Sequence, residues 1–490
     1  MAVDHVQAPV LEALASYRGH RELGFTPPGH KQARGADPAV RAVLGDAVFL
    51  GDVLASGGLD DRRTRGRVLE RAERLMADAV HAEHTFFSTC GSSLSVKAAM
   101  LAVACPGQTL LISRDAHKSV IAGLVLAGVE PVWLEPAWDE RRHLAHPPSA
   151  ETVAKGFADH PEARGALVTS PTPYGAAADL TAMAEICHRH GRPLIVDEAW
   201  GAHLPFHPEL PAWAMDAGAD VCVTSIHKMG SGLEQGSVFH LQGDLVDPAV
   251  LASRADLLGT TSPSVLIYAG IDGWRRQMAL HGRELLSGAL ELAAETRQMI
   301  ESVDGLHVEE RGDFCGPGRA YDFDPLPTVI DVSALGLTGY RAADWLRDQH
   351  RMDAHLADHR RINTQLTHAD DQKTTGQLVT ALRDLSRHAA SLRPAPQVDV
   401  PAPTELRLPQ ECSPRDAYFA PVEDVPLAHA AGRVAAEMLT PYPPGIPVAL
   451  PGERLTDPVL AYLRTCVAAG MNVPDAADPS LHTVRVVQER

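Results

Sequence analysis

Lys228 lies in the segment SIHKMGSGLEQGS (225–237), directly after the apolar run DVCVT and before a string of small residues. An amine packed into a pocket of small residues loses hydration, which lowers its pKa and makes it a usable nucleophile toward an aldehyde. Taken alone, the segment serves a solvated loop lysine equally well. Asp197 closes the apolar run PLIVD (193–197). A buried carboxylate there can keep the ring nitrogen of a pyridine protonated, as an electron-sink ring requires; a helix cap or a surface acid is the plainer role. The loop STCGSSLSVKAAM (88–100) sets Gly91, Ser92 and Ser93 at the start of a helical stretch. Backbone N–H groups and hydroxyls there suit a phosphate, although many helices begin this way for capping alone. His117, in RDAHKSV (114–120), follows the run LLIS and carries a flat ring that could stack on an aromatic cofactor or serve structure only. A phosphate loop, a stacking ring, a carboxylate and an amine, in that order, match what pyridoxal 5′-phosphate (PLP) needs from a protein.

The elements that must position these residues are legible from hydropathy. The runs LLIS (110–113), PVWL (131–134), GALVTS (165–170), PLIVDE (193–198) and DVCVTS (220–225) lack polar–apolar alternation and are separated by helical stretches such as LTAMAEICHRHG (180–191). Strands apolar on both faces and joined through helices predict a mostly parallel sheet covered on both sides. In such sheets ligands bind beyond the carboxyl ends of strands, where Asp197, Ser225, His227 and Lys228 fall. The run SVIAGLVLAGVEPVWL (119–134) predicts a buried helix leading into a strand. Residues 291–390 predict a smaller α/β unit, and the Pro-rich run 391–418 a linker or surface wrap. Beyond it, a helix is expected from about 427 to 439 and another near DPVLAYLRTCVAAG.

Composition narrows the function classes. The 490 residues are 45% hydrophobic and 22% charged, ordinary values for a globular chain of about three domains. A net charge of −18 argues against nucleic acid as the main partner, since phosphate binding needs clustered Lys and Arg. It could help collect a cationic substrate or serve solubility alone. The seven cysteines show no CxxC pair, so neither a zinc site nor a disulfide framework is indicated, and reduced thiols in a cytoplasmic setting fit. The first residues lack a basic segment followed by an apolar one, and no apolar run is long enough for a membrane helix.

The ordered motifs resemble fold type I (aspartate aminotransferase-like) PLP enzymes. Within that group the chain is similar to the Orn/Lys/Arg basic amino acid decarboxylases, in a short form without a receiver-like N-terminal domain. The resemblance rests on FTPPGHK, HTFFSTCGSS, DAHKSVIAGLVLAG, VTSPTPYG, VDEAWGAH, SIHK, TTSPS (260–264), SPRDAYF and TPYPPGIPVALPGE (440–453). It implies an N-terminal arm (1–30), a PLP-binding large domain with the mostly parallel sheet (31–290), a small α/β domain (291–395), and a linker plus C-terminal decarboxylase domain (396–490). It also implies that Lys228 holds PLP as a Schiff base, with His227 near the phosphate or the lysine. Ser225, Gly91, Ser92 and Ser93 would bind phosphate, Asp197 would pair with the pyridinium, and His117 and Ala199 would cover the two ring faces. Thr261 and Ser262 would reach the phosphate of a neighbouring subunit, so the functional unit is expected to be at least a homodimer with shared sites.

The implied reaction is decarboxylation of lysine, arginine or ornithine to an amine and CO2, with Lys228 or His227 returning a proton to Cα; it belongs to amine and polyamine formation and requires no metal. Two places depart from the family pattern: Glu234 and Gly236 flank Gln235, where small or hydroxyl residues are usual on the amino side, and His355 stands where an acid is usual. These are second-layer drift or an altered pocket. Transamination or elimination on the same scaffold, and a non-catalytic paralogue, are the alternatives. Glu437, expected in the 427–439 helix, and Asp416 or Glu423 are candidate acids for the substrate's distal cation.

Overall fold

The computed structural model describes all residues except 1–2, 21–22, 24, 56–58, 60–66, 393, 395, 397, 399–404, 442–446 and 490. It has an α/β fold with a mostly parallel central sheet. Its strands, in chain order, are β1 (His84–Ser88), β2 (Thr109–Ser113), β3 (Glu130–Leu134), β4 (Ala166–Thr169), β5 (Leu194–Asp197), β6 (Val221–Ser225) and β7 (Ser237–Leu241). The chain divides into two units, Met1–Val103 with Gly191–Leu285, and Ala104–His190 with Leu286–Arg490.

In the first unit the strand order is β1-β7-β6-β5. β5 and β6 run parallel, with Asp197 opposite Val223, so their carboxyl ends lie side by side. β7 turns back antiparallel onto β6, and β1 pairs antiparallel with β7. Leu194, Ile195, Val196, Val221, Cys222 and Val223 are fully buried, which explains their unbroken apolar pattern. The strands β1 and β7 were not set apart in the sequence, because HTFFS and SVFHL each carry polar residues inside short apolar runs.

In the second unit β4-β2-β3 are consecutive and parallel. The expected buried helix is Lys118–Ala127, ended by Gly128 at φ 63° and followed by β3. A smaller antiparallel sheet contains β8 (His307–Val308), β9 (Pro327–Asp331), β10 (Leu356–Ala357) and β11 (Arg361–Gln365), in the order β8-β9-β11-β10. Helices Gly339–His350 and Gln372–His388 cover it, with Leu346, Leu378, Leu382 and Leu385 buried among Ile330 and Ile362.

The C-terminal segment departs from expectation. No helix forms at 427–439; only Leu427–His429 makes a single tight turn. Gly432 sits at φ 82°, and Val434, Ala435 and Leu439 instead make isolated bridges to Arg454, Val486 and Ala449. Local alanine propensity yields here to pairing with the rest of the unit. The expected irregular run 391–418 ends in a short helix, Pro414–Phe419, capped by Ser413. The helix near DPVLAYLRTC is present as Asp457–Ala468, and most of PYPPGIP lies outside the described residues. Among the described residues no helix is long and apolar enough to cross a membrane.

Candidate active site

The first unit brings Asp197, Ala199, Trp200, Ser225, Lys228 and Ser92 toward the carboxyl ends of β5 and β6. Asp197 is the last residue of β5 and is 4% exposed. Strand alternation sends the next side chain elsewhere: Glu198 is taken up by the Cys222 thiol at 3.2 Å and the Ala214 N–H at 3.3 Å. Asp197 keeps an Ala199 N–H at 3.3 Å. Burial lifts its carboxyl above the ordinary value, opposed by the charge of Lys228 and by that N–H.

Lys228 lies in the single turn Ile226–Met229, which begins directly after β6. Burial pulls its amine below the ordinary lysine value, and Asp197 opposes that shift. The two groups therefore sense each other at adjacent strand ends. Lys228 Nζ stands 4.2 Å from the centre of the Trp200 ring, a cation–π distance. The sequence reading missed Trp200, although it sits three residues after Asp197 in VDEAW. The turn cannot open easily. A Cβ on Gly230 would lie 2.5 Å from the Ile226 carbonyl oxygen and 2.8 Å from the Trp274 ring.

The loop that carries Gly91 and Ser92 is held to the lysine turn. Ser225 Oγ donates to Ser92 Oγ at 2.8 Å. Gly91, at φ 73°, donates its N–H to the Gln235 carbonyl at 2.9 Å and opens the helix Gly91–Val103. The Gly236 carbonyl receives the Ile226 N–H at 2.9 Å and stands 3.1 Å from His227 Nδ1. The two departures near the lysine thus have separate meanings. The Glu234 side chain is exposed, whereas Gly236 is buried where a Cβ would meet the Leu233 carbonyl oxygen at 2.9 Å.

Ser93 is exposed, as are Thr261 and Ser262 in their turn. His117 belongs to the second unit, where it caps the helix Lys118–Ala127 and its Nδ1 contacts the Ser119 hydroxyl at 2.9 Å. His355 is exposed beside β10. Two of the three acids considered for a substrate cation are otherwise engaged. Glu437 is not helical; its carboxylate receives the Ala477 and Arg485 N–H groups, each at 2.6 Å. Glu423 pairs with Arg433 at 2.5 Å, and Asp416 is exposed on its short helix.

Comparison with known proteins settles the lineage. Residues 8–314 match the model of the Orn/Lys/Arg decarboxylase major domain, and 404–487 that of the Orn/Lys/Arg decarboxylase C-terminal domain. The chain belongs to the Orn/Lys/Arg decarboxylase family. An arginine decarboxylase of Halalkalibacterium halodurans is 37% identical over 99% of this chain and 98% of the relative. Another of Bacillus subtilis is 35% identical over the same shares. The constitutive lysine decarboxylase of Escherichia coli, a solved structure, superimposes with a TM-score of 0.79 at 21% identity, over 99% of this chain and 82% of that one. This last likeness shows the shared fold, and the family is that of PLP-type decarboxylases.

Proposed function

We propose that this chain decarboxylates a basic L-amino acid, with Lys228 as the residue that covalently holds PLP. The observation that carries the assignment is the pairing of buried Lys228, its amine pulled below the ordinary lysine value, with buried Asp197 at adjacent strand ends. The residues present fit the cofactor. Gly91 at φ 73° and the Ser225–Ser92 hydroxyl pair form a phosphate cradle, and Asp197 offers a buried acceptor for a ring N–H. When bound, PLP supplies the electron sink into which the bond to the departing CO2 collapses.

The chain supplies the rest. Burial lowers the proton affinity of Lys228, which favours the neutral amine that attacks an aldehyde. Trp200 shields it on one side. Asp197 holds a proton on the ring nitrogen through its charge, while Ala199 and His117 are assigned to the ring faces. Lys228 or His227 returns a proton to the substrate Cα. Thr261 and Ser262, exposed in one protomer, are assigned to a neighbour's phosphate, which makes the working unit at least a homodimer. The arm (1–30), large (31–290), small (291–395) and C-terminal (396–490) domains belong to the same reading. So does a cytoplasmic role in amine and polyamine formation.

Arginine is the first substrate choice, because the relatives at 35–37% identity carry that activity in their names. Incubation of the PLP-loaded protein with L-arginine, L-lysine and L-ornithine tests the reading. CO2 with the matching amine is expected, with the highest kcat/KM for arginine. A keto acid in place of CO2 would replace decarboxylation by transamination.

A further inference from the structure

The second unit has a partly open cavity of about 230 Å³ whose lining holds none of Lys228, Asp197, Ser225 or Ser92. A cavity of about 150 Å³ suffices for benzene, so this one has room for a small organic molecule. Most of its wall is apolar or aromatic, with Trp138, Tyr174 and Tyr462 among the lining side chains.

Its charged groups are accounted for one by one. Arg114 pairs with Glu453 at 3.3 Å and its guanidinium lies 5.2 Å from the Trp133 ring centre. Glu135 pairs with Arg407 at 2.9 Å. Asp358 pairs with Arg361 at 3.2 Å and accepts the Tyr174 hydroxyl at 3.0 Å. His143 and His359 lie ring nitrogen to ring nitrogen at 3.3 Å, and burial holds both below the ordinary histidine value, so neither brings a positive charge near neutral pH.

Asp115 is different. It is 6% exposed, and among the described residues it has the Ser113 hydroxyl as side-chain partner but no recorded cation. Burial pushes its carboxyl up to about 6 despite that hydroxyl, so it is largely ionised at neutral pH inside a low-dielectric wall. Two residues of the lining, Tyr340 and Thr169, 7% and 8% exposed, each carry a buried hydroxyl that has no hydrogen-bond partner among the described residues. Buried polar groups normally have partners, and leaving one without costs about 1–3 kcal/mol.

We propose that this cavity is a binding site for a slender organic cation, an alkylguanidine or alkylamine, whose charged head pairs with Asp115 and donates to the Tyr340 and Thr169 hydroxyls. Aromatic faces attract a cation, and an apolar wall receives its hydrocarbon stem. The inference is independent of the reaction assigned above, since it uses no residue of the Lys228 site.

The probe is butylguanidine, which lacks both the α-amine and the carboxylate of a substrate. Butylurea has nearly the same shape without the charge. Calorimetric titration of the full-length PLP-loaded protein is expected to show butylguanidine binding and at least tenfold weaker butylurea binding. Asp115→Asn should weaken butylguanidine roughly 10²-fold and abolish the preference over butylurea. Tyr340→Phe removes a hydroxyl without a partner among the described residues, so it should fold normally and weaken binding about three- to tenfold. Lys228→Ala should lose cofactor attachment and retain butylguanidine binding. Equal affinity for the two probes, no butylguanidine binding, or unchanged binding in both Asp115→Asn and Tyr340→Phe overturns the proposal. So does loss of binding in Lys228→Ala, which would assign the heat to the cofactor site. Absence of decarboxylation by the unsubstituted PLP-loaded protein, with butylguanidine binding intact, would instead count against the assigned reaction.

Discussion

In their charged forms Lys228 and Asp197 have opposite signs but share a burden: each is lifted out of water, and burial disfavours the charged form of each. Their mutual attraction offsets part of that cost, so removing either should disturb the other. Replacing Asp197 with Asn should lower kcat on the order of 10²-fold, the size of a positioned proton-transfer partner, with less effect on KM. An equal fall in PLP affinity and no change in kcat would give Asp197 a purely anchoring role. Trp200 gives a finer test. Trp200→Leu should weaken PLP retention about tenfold, in line with a desolvated cation–π contact, whereas Trp200→Phe should retain most of it. Asp197, Ser225 and Lys228 were legible in the sequence because each ends or directly follows a run of residues buried on both faces. Trp200 was not, because nothing in VDEAW distinguishes a ring beside the lysine amine from one packed in the core. Asp115 escaped notice for a similar reason: the cavity it lines is built largely from residues about 20 to 360 positions further along the chain.

At the scale of elements, two glycines set the local backbone. Gly230 allows the lysine turn to lie against Trp274, where a Cβ would come within 2.8 Å of the ring. Gly230→Ala should destabilise the protein by about 1–3 kcal/mol, the usual cost of overpacking, measured as a lower denaturant midpoint without cofactor. An unchanged midpoint would mean that the turn has slack. Gly91 meets no neighbour at its Cβ position, but its φ of 73° disfavours a side chain. Gly91→Ala should therefore cost less, about 1 kcal/mol, while still loosening PLP. The parallel strands were legible because their side chains are buried on both faces and the apolar run is unbroken. The 427–439 segment was misread because alanine-rich sequence favours a helix only when nothing stronger competes. Here the Glu437 carboxylate takes two backbone N–H groups, and three residues bridge to distant chain.

Across the whole molecule, buried histidines set the acid limit of stability. Burial lowers His146 to about 4 and His240 to about 3, both below the ordinary value near 6.5. The unfolded chain therefore binds more protons than the folded one as pH falls below about 6.5. Stability is full above that value and declines toward pH 4, by on the order of 3 kcal/mol for His146 alone. Asp115, raised to about 6, works in the opposite direction between about pH 4 and 6 and partly offsets the loss. The difference in Tm between pH 7.5 and pH 5 should shrink in His146→Leu; an equal difference would exclude His146 as a source. Assembly has its own test. If Thr261 and Ser262 serve a neighbour's site, mixing inactive Lys228→Ala with a Thr261→Ala, Ser262→Ala variant should restore up to about a quarter of the activity, since half the dimers are mixed and each holds one intact site. No restoration after subunit exchange would remove the shared-site arrangement.

The most direct test concerns Lys228. The chain has five other lysines, Lys31, Lys97, Lys118, Lys155 and Lys373. Borohydride reduction of the PLP-loaded protein, followed by peptide mass mapping, should place a pyridoxyl phosphate adduct on Lys228 and leave the other five unmodified. An adduct confined to another lysine, or none at any of the six, would contradict the account.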